Sequence, residues 1–318
     1  MSGAPKAKVV VPLAPGQRAD AAAVAVLRGL CEVIEGNREG AISGDDPEYL
    51  HQLRIAVRRS RTVQRQLKHV FPALELAGFR SEFKWLQRAT GEARDLDVYL
   101  IGFDELRHMV PEDMRADLGP LRQVLGHWRL GAQADMARAV GSRRTVELLR
   151  DWEMLLERLV EIPADERPDA VRPIGELAGR RIRHVYKQIR KDGQRIDAGS
   201  PPTAFHELRK TGKELRYMLE LFGVQLHDPV VVSDLVTALK ELQDVLGRHQ
   251  DREVQIAMLR SLADEVAGLP RGPQAVLAMG VLIERLRADE LAARHEFGER
   301  FALLAASERH DQVKATFG

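Results

Sequence analysis

A pattern that begins with histidine and continues with basic residues occurs twice in this sequence, about 155 residues apart. The two copies consist of His51, Arg54, Arg58 and Arg61 and of His206, Arg209, Lys213 and Arg216. A second pattern follows each copy, as Leu86, Gln87, Gly91 and Asp95 and as Leu242, Gln243, Gly247 and Asp251. Because the order is kept and the distance is nearly kept, the sequence indicates a duplicated unit. We predict halves at residues 17–165 and 166–318, preceded by a disordered leader at residues 1–16.

The predicted fold class is all-α. Leu, Ala, Arg and Glu make up much of the composition, which favours helices. Apolar residues recur at helical spacing between breaks rich in Gly, Pro and Asp. The predicted helices cover residues 21–37, 48–70, 77–87, 97–108, 114–130, 144–161, 174–191, 204–226, 231–246, 254–267 and 273–307. The proline-rich segment 162–173 is the best candidate for the linker between the halves.

The helix that carries the first copy has one cationic face. On a helical wheel its basic residues lie within an arc of roughly 80°. They are His51, Arg54, Arg58, Arg61 and Arg65. No acidic residue occurs between His51 and Leu74, whereas a surface helix usually mixes charges of both signs. Such a face needs an external anion or acidic residues from neighbouring helices.

Two further rows of basic residues occur in the second half. The second copy of the pattern adds Lys210 beside His206, Arg209, Lys213 and Arg216, and Glu220 takes the place of Arg65. A third helix, at residues 179–191, carries Arg180, Arg183, His184, Lys187 and Arg190 on one side. This helix directly precedes the second row, and we predict that it packs beside it. All three rows are candidate ligand contacts.

The distribution of charge, rather than its sum, points to an anionic ligand. The net charge is only +1, from 48 basic and 47 acidic residues. Arginine dominates the first row, and its planar fork suits phosphate oxygens. The single cysteine excludes a disulfide framework, and no phosphate-binding Gly-rich loop or zinc-protease motif occurs. No apolar run has the length of a membrane span, so we expect a cytoplasmic protein without membrane partners.

The acidic residues near the second pattern have two interpretations. Asp95 and Asp97 resemble a short metal-binding motif, and Asp251 repeats Asp95. Each follows a glycine at a predicted helix start, where acidic residues favour the helix dipole and cap the helix. We favour capping, or bracing of the arginine rows, over metal binding.

The paired motifs resemble the two signatures of the CHAD family, the conserved histidine α-helical domain. The first signature is matched by His51, Arg54, Arg58, Arg59 and Arg61, and then by Gly91, Arg94, Asp95, Asp97 and Val98. The second signature is matched by His206, Arg209, Lys210, Lys213, Arg216, Tyr217, Glu220 and Phe222. Weaker matches extend the resemblance over nearly the whole chain.

The resemblance implies two four-helix bundles related by a pseudo-twofold axis, whose basic faces line a groove or pore that binds inorganic polyphosphate. Family members are associated with polyphosphate granules and are not thought to be catalytic. The family's contacts fall on the repeated histidine pattern, and helix 180–191 matches the basic helix before the second signature. Many members carry a triphosphate-processing domain of the CYTH type in front. The leader here is too short for one, so we expect a stand-alone member that is not an enzyme.

The leading hypothesis is non-catalytic binding of polyphosphate, without cofactor or metal. Nucleic acid is the nearest competitor, but single-strand binders add aromatic stacking platforms, and only Tyr217 lies at the edge of a row. A third hypothesis is a phosphohydrolase or phosphotransferase that holds Mg²⁺ with Asp95, Asp97 and Asp251. A fourth is a structural adaptor whose basic rows are neutralised by acidic residues of other helices.

Overall fold

The described part of the protein is built from α-helices joined by short connections. The computed structural model describes residues 3–197 and 199–318. The helices are α1 (Ala19–Ser43), α2 (Pro47–Gln66), α3 (Ala73–Ala89), α4 (Gly91–Ile101), α5 (Phe103–His108), α6 (Gly119–Gly141), α7 (Arg143–Arg158), α8 (Ile174–Gly193), α9 (Pro202–Met218), α10 (Val224–Leu226), α11 (Pro229–Ala267), α12 (Gly272–Ala305) and α13 (Ser307–Thr316). The only extended pairing within these ranges is an isolated bridge between Arg18 and Pro173. The all-α prediction is confirmed.

Local sequence signals explain where several helices begin. The Asp46 side chain accepts a hydrogen bond from the Glu48 backbone N–H, and Pro47 occupies the first turn of α2. Asp228 caps α11 in the same way, and Pro229 follows it as the first residue of the helix. A capping carboxylate satisfies an otherwise free N–H, and proline lacks the N–H that would be free.

The longest helix does not follow the prediction. The sequence predicts separate helices at 231–246 and 254–267, but α11 runs unbroken from Pro229 to Ala267. The predicted break contains Gly247, which lies in the interior of α11. A Cβ at this position would lie 3.3 Å from Nη2 of Arg209, so the glycine allows close approach of this side chain. A glycine costs a helix interior only about 1 kcal/mol relative to alanine, which does not break a helix of this length.

The helices of the two halves share one apolar core. In the first half α1 packs against α2, α6 and α7, and α4 packs against α6. In the second half α9 packs against α8 and α11, and α11 forms a long hairpin with α12. α2 and α9 meet between the halves, and the buried apolar residues form one continuous cluster. This contact sets the two histidine-led helices side by side.

The α11–α12 hairpin also reaches the first half of the chain. The Tyr99 hydroxyl donates to the Gln255 carbonyl at 3.2 Å, and Nε1 of Trp128 donates to a carboxylate oxygen of Glu265 at 3.0 Å. At the tip of the hairpin, Arg271 donates to Asp117 at 2.6 Å. The hairpin therefore joins the two halves in addition to the contact between α2 and α9.

Residues 3–16 form no helix, but they are held against the protein. The Ala7 backbone N–H donates to Oε1 of Gln52 at 2.7 Å, and Nδ2 of Asn37 donates to the Pro5 carbonyl at 2.9 Å. Ala4 and Ala7 are buried. A disordered leader therefore does not describe residues 3–16, because their backbone groups and small apolar side chains find partners on α1 and α2.

The segment between the halves is also fixed in place. Arg167 is fully buried, and its guanidinium lies 3.4 Å from a carboxylate oxygen of Asp20. The backbone N–H groups of Ala19 and Asp20 donate to carbonyls of this segment, at 2.9 and 3.0 Å. Proline and charge do indicate a helix-free connection here, but its buried arginine makes it part of the core. In the described ranges, no helix has the length and apolar character needed to cross a bilayer.

Candidate functional site

A cleft with a volume of about 720 Å³ lies between α2, α3 and α9. Its described lining carries eight Lys or Arg side chains but only one carboxylate. The charged and titratable lining residues are Arg58, Arg61 and Arg65 from α2, Arg80 and Lys84 from α3, and His206, Arg209, Lys210, Lys213 and Glu214 from α9. On a protein with a net charge of +1, this cleft concentrates positive charge in one place.

Three residues of the first predicted row line the cleft, and two do not. Arg58, Arg61 and Arg65 face it because the opposite side of α2 is apolar and fully buried. Arg54 instead donates to the Gln87 carbonyl and the Thr90 hydroxyl, each at 2.9 Å. His51 is half-buried and lies outside the lining. Arg54 therefore holds α2 against the C-terminal end of α3.

The second predicted row is divided in a similar way. His206, Arg209, Lys210 and Lys213 line the cleft. Arg216 lies one turn further along α9, outside the lining. There it approaches Glu220 at 3.6 Å and covers the ring of Tyr217.

The third predicted row does not reach the cleft. α8 packs against α9 as the sequence predicts, but none of the five predicted residues of α8 lines the cleft. Ile182, Val185 and Ile189 form the buried side of α8, and helical spacing turns Arg180 and Lys187 to solvent. The basic face of α8 is a separate surface.

The structure adds two cations that the sequence analysis missed. Arg80 and Lys84 are exposed residues of α3 and line the cleft together with Ala77 and Ser81. All four positions share one face of the helix, at the spacing expected of α-helical neighbours. The absence of acidic residues from this face was the available signal. It was obscured because Glu75 and Glu82 lie on the same helix and pair with α7.

Acidic residues neutralise part of the basic surface. Glu214 pairs with Arg65, whose Nε donates to it at 2.7 Å, and also accepts from Gln66. Glu220 pairs with Arg59 and with Arg216. On the far side of α9, Asp251 lies 3.7 Å from Arg209.

Five cations of the cleft keep no such partner. Within the described part of the chain, no carboxylate lies within ion-pair distance of these side chains. They are Arg58, Arg61, Arg80, Lys84 and Lys213. They come from all three helices of the cleft. Neutralisation of the cleft is therefore incomplete.

The two repeated glycines each lie next to an arginine at an equivalent position of the repeat. A Cβ at Gly91 would lie 3.8 Å from Nη1 of Arg54, and a Cβ at Gly247 would lie 3.3 Å from Nη2 of Arg209. In each half, the arginine three residues after the motif histidine therefore lies against the glycine of the second pattern. This contact agrees with the nearly equal spacing of the two patterns, 40 residues from His51 to Gly91 and 41 from His206 to Gly247.

Burial and mutual repulsion lower the pKa values of two basic residues of the cleft. Burial, together with the charges of Arg209 and Arg58, lowers the pKa of Lys213 to about 7. Burial also lowers the pKa of Arg61, again with help from neighbouring arginines. These shifts show that positive charge in the cleft is held at an energetic cost. A bound anion would relieve that cost.

The three aspartates do not converge on one point. Asp97 is buried and accepts from Nε of Arg129 at 3.0 Å, whereas Asp251 faces Arg209. Asp95 and Asp251 both lie inside their helices, so the prediction that they cap helix starts is wrong. The alternative prediction, that these acidic residues brace a basic row, fits Asp251, which lies 3.7 Å from Arg209 of the second row. Nowhere in residues 3–197 and 199–318 do three His, Cys, Asp or Glu side chains form a group suited to a metal ion.

Comparison with known families agrees with the paired motifs. The family model of the CHAD domain matches residues 25–260. This chain belongs to the CHAD family. The resemblance carried by the two histidine-led patterns is thereby confirmed. CHAD domains are linked in general to polyphosphate binding.

Two curated proteins of Mycobacterium tuberculosis are similar to this CHAD chain. They are Uncharacterized protein MT2285 of strain CDC 1551 / Oshkosh and Uncharacterized protein Rv2226 of strain ATCC 25618 / H37Rv. Each is 26% identical over 236 residues, which is 72% of this chain and 43% of the relative. The chain thus spans less than half of the length of these relatives.

Two solved structures share the fold. The crystal structure of the CHAD domain from the plant Ricinus communis matches with a TM-score of 0.79 at 24% identity, covering 96% of this chain and 97% of that one. PptA from Streptomyces chartreusis matches with a TM-score of 0.62 at 19% identity, covering 89% of this chain and 99% of that one. At these identities the likeness establishes the helical architecture.

Proposed function

We propose that this CHAD chain binds inorganic polyphosphate in the cleft between α2, α3 and α9, and that it catalyses no reaction on it. One observation carries the proposal. Five cations from three helices line one cleft without an ion-pair partner in the described chain, on a protein that is otherwise nearly neutral. A polyanion would supply the missing negative charge to all of them at once.

The lining favours an anion without bases. Tyr217 is the one aromatic residue of the described lining, and it is only 3% exposed. Arg59 and Arg216 cover its ring, with their guanidinium carbons 5.4 and 5.6 Å from its centre. Single-strand nucleic-acid binders stack bases on exposed aromatic faces. A chain of phosphates needs only the cations, so polyphosphate fits this cleft better than nucleic acid.

A phosphohydrolase is less well supported. It would need Asp95, Asp97 and Asp251 to act together, but Asp97 is committed to Arg129 and Asp251 faces Arg209. A purely structural adaptor would need complete neutralisation of the basic rows. The pairs formed by Glu214 and Glu220 leave five cations of the cleft without a carboxylate in the described chain. The separated aspartates and the unpaired cations therefore support polyanion binding over an enzyme or an adaptor.

We further propose that the two halves are four-helix units that arose by duplication and are related by a pseudo-twofold axis. The paired contacts of Arg54 with Gly91 and of Arg209 with Gly247 support this relation. In the cell we expect a cytoplasmic protein that accumulates on polyphosphate granules. A fluorescent fusion that remains diffuse in granule-containing cells would contradict this location.

Calorimetric titration with long-chain polyphosphate tests the proposed function. The test variant R58Q/R61Q/K213Q removes three unpaired charges from the cleft. The control variant R180Q/K187Q/K191Q removes three charges from α8, outside the cleft, and therefore changes the net charge equally. Circular dichroism checks that both variants are folded. Duplex and single-stranded DNA at matched phosphate concentration serve as competitors.

We expect affinity that falls with salt, because binding releases counterions from the polyanion. For single-stranded nucleic acids, the logarithm of the affinity falls by about 0.7 per phosphate contact for each tenfold rise in salt concentration. If polyphosphate behaves in the same way, removal of three contacts should make the salt dependence of the cleft variant shallower by about 2. The α8 variant should keep the salt dependence of the wild type. Equal losses in both variants would show that net charge, rather than the cleft, determines binding. Equal affinity for DNA would refute the preference for polyphosphate.

A further inference from the structure

Lys213 differs from the other cations of α9. Arg209 lies near Asp251, Lys210 pairs with Glu207, and Arg216 approaches Glu220. The amine of Lys213 has no carboxylate within ion-pair distance in the described chain, and the side chain is half-buried on the wall of the cleft. Among the Lys and Arg residues of the second row, only Lys213 has no carboxylate partner in the described chain.

The charged groups around Lys213 are mostly positive. Arg58 faces it from α2, Arg209 and Arg216 face it from α9 itself, and only Asp251, from α11, has the opposite sign. Glu220, in the π-helical segment Leu219–Gly223 that follows α9, pairs with Arg59 and Arg216. A compact ammonium in this position has lost part of its hydration and is repelled by three guanidinium groups. Unlike arginine, lysine can relieve this repulsion by releasing its proton.

We propose that Lys213 couples ligand binding to proton uptake: its amine is largely neutral in the empty cleft at pH 8 and becomes an ammonium when a polyanion occupies the cleft. This inference rests on the proposed function and adds a regulation of that site. The ligand would bind more tightly as the pH falls.

The size of the effect follows from linkage. The pKa of Lys213 in the empty cleft is about 7, and a ligand that restores it to above about 9 keeps the amine protonated across the range from pH 6 to 8. Binding then takes up about 0.9 proton per cleft at pH 8, about 0.5 at pH 7 and about 0.1 at pH 6. The affinity is accordingly about tenfold higher at pH 6 than at pH 8.

The motif histidines are the competing source of a pH response. His51 lies outside the lining, and burial lowers its pKa with help from Arg94. His206 lines the cleft, where its Nδ1 lies 2.5 Å from Oε1 of Gln250. A histidine would follow the same direction with pH, so variants must separate it from Lys213.

The test is calorimetry at pH 6, 7 and 8, in pairs of buffers that differ in ionisation enthalpy, at constant ionic strength. Polyphosphate of several hundred units keeps the titrating terminal phosphates rare. K213R retains a positive charge that cannot be released, and H206Q removes the competing imidazole. We expect proton uptake to disappear in K213R and to persist in H206Q, with the tenfold pH effect lost in K213R alone.

The outcomes separate the two proposals. Absence of binding by the folded wild type at any pH would refute the proposed function. Binding without proton uptake at pH 8 would overturn the role of Lys213 and leave the proposed function intact. Uptake that persists in K213R and disappears in H206Q would assign the response to His206.

Discussion

The buried arginine between the two halves offers a sharp test of what holds this fold together. Arg167 is fully buried, as is the carboxylate of Asp20, and the two side chains lie 3.4 Å apart. The guanidinium also donates to the carbonyls of Val70 and Pro163, each at 3.2 Å. Replacement by methionine would keep much of the volume and remove every donor.

The cost can be worked out from these contacts. Loss of one partner of a buried ion pair costs about 3–5 kcal/mol, and each buried acceptor left without a donor costs about 1–3 kcal/mol. These losses overlap, because Asp20 keeps its contact with Arg18 at 2.7 Å and the backbone N–H of Ala21 at 2.8 Å. We therefore expect Arg167→Met to lower the free energy of unfolding by about 4 kcal/mol.

Urea unfolding followed by circular dichroism measures this loss. Arg18→Met is the matched control, because it removes the other arginine from the same carboxylate, and the Arg18 side chain is 45% exposed. The buried Asp20 carboxylate keeps Arg167 in this variant, and water can reach the half-exposed site that Arg18 leaves. Its urea midpoint should therefore fall by less than that of Arg167→Met. Similar midpoints for Arg167→Met and the wild type would refute the view that the buried pair ties the halves together.

Three other changes have expected outcomes. Glu214→Gln should raise polyphosphate affinity several-fold, because it frees Arg65 inside the cleft; fluorescence competition measures this, and weaker binding would contradict it. Lys84→Gln should lower the salt slope of binding by about 0.7, and an unchanged slope would place α3 outside the ligand path. Gly193→Ala should destabilise the protein by about 1–3 kcal/mol, because its Cβ would overlap the Phe301 ring; an unchanged melting temperature would refute this.

Sequence reasoning succeeded where one helix determines the answer. The spacing from His51 to Arg65 defines one face of α2 whatever surrounds it, and the apolar residues behind it are buried as the helical period requires. The histidine-led repeat led to the CHAD family for the same reason, since it is a pattern within single helices.

Sequence reasoning failed where the answer depends on which helices meet. Nothing local to α8 distinguishes its basic row from that of α9, yet the buried apolar side of α8 directs Lys187 away from the cleft. Conversely, Lys84 became a lining residue only because α3 packs against α2. The pairing of Glu214 with Arg65 joins residues 149 positions apart, which no pattern along one helix can indicate.

The reach of the α11–α12 hairpin has a consequence for how the chain folds. Its contacts with the first half join residues separated by 156, 137 and 154 positions, through Tyr99, Trp128 and Arg271 respectively. Contacts at such separations form late, because closing long loops costs entropy before any contact is gained. During synthesis, these contacts with the first half therefore form only after α11 and the loop before α12 have emerged. The two units, although they resemble each other in sequence, thus depend on each other to complete the fold.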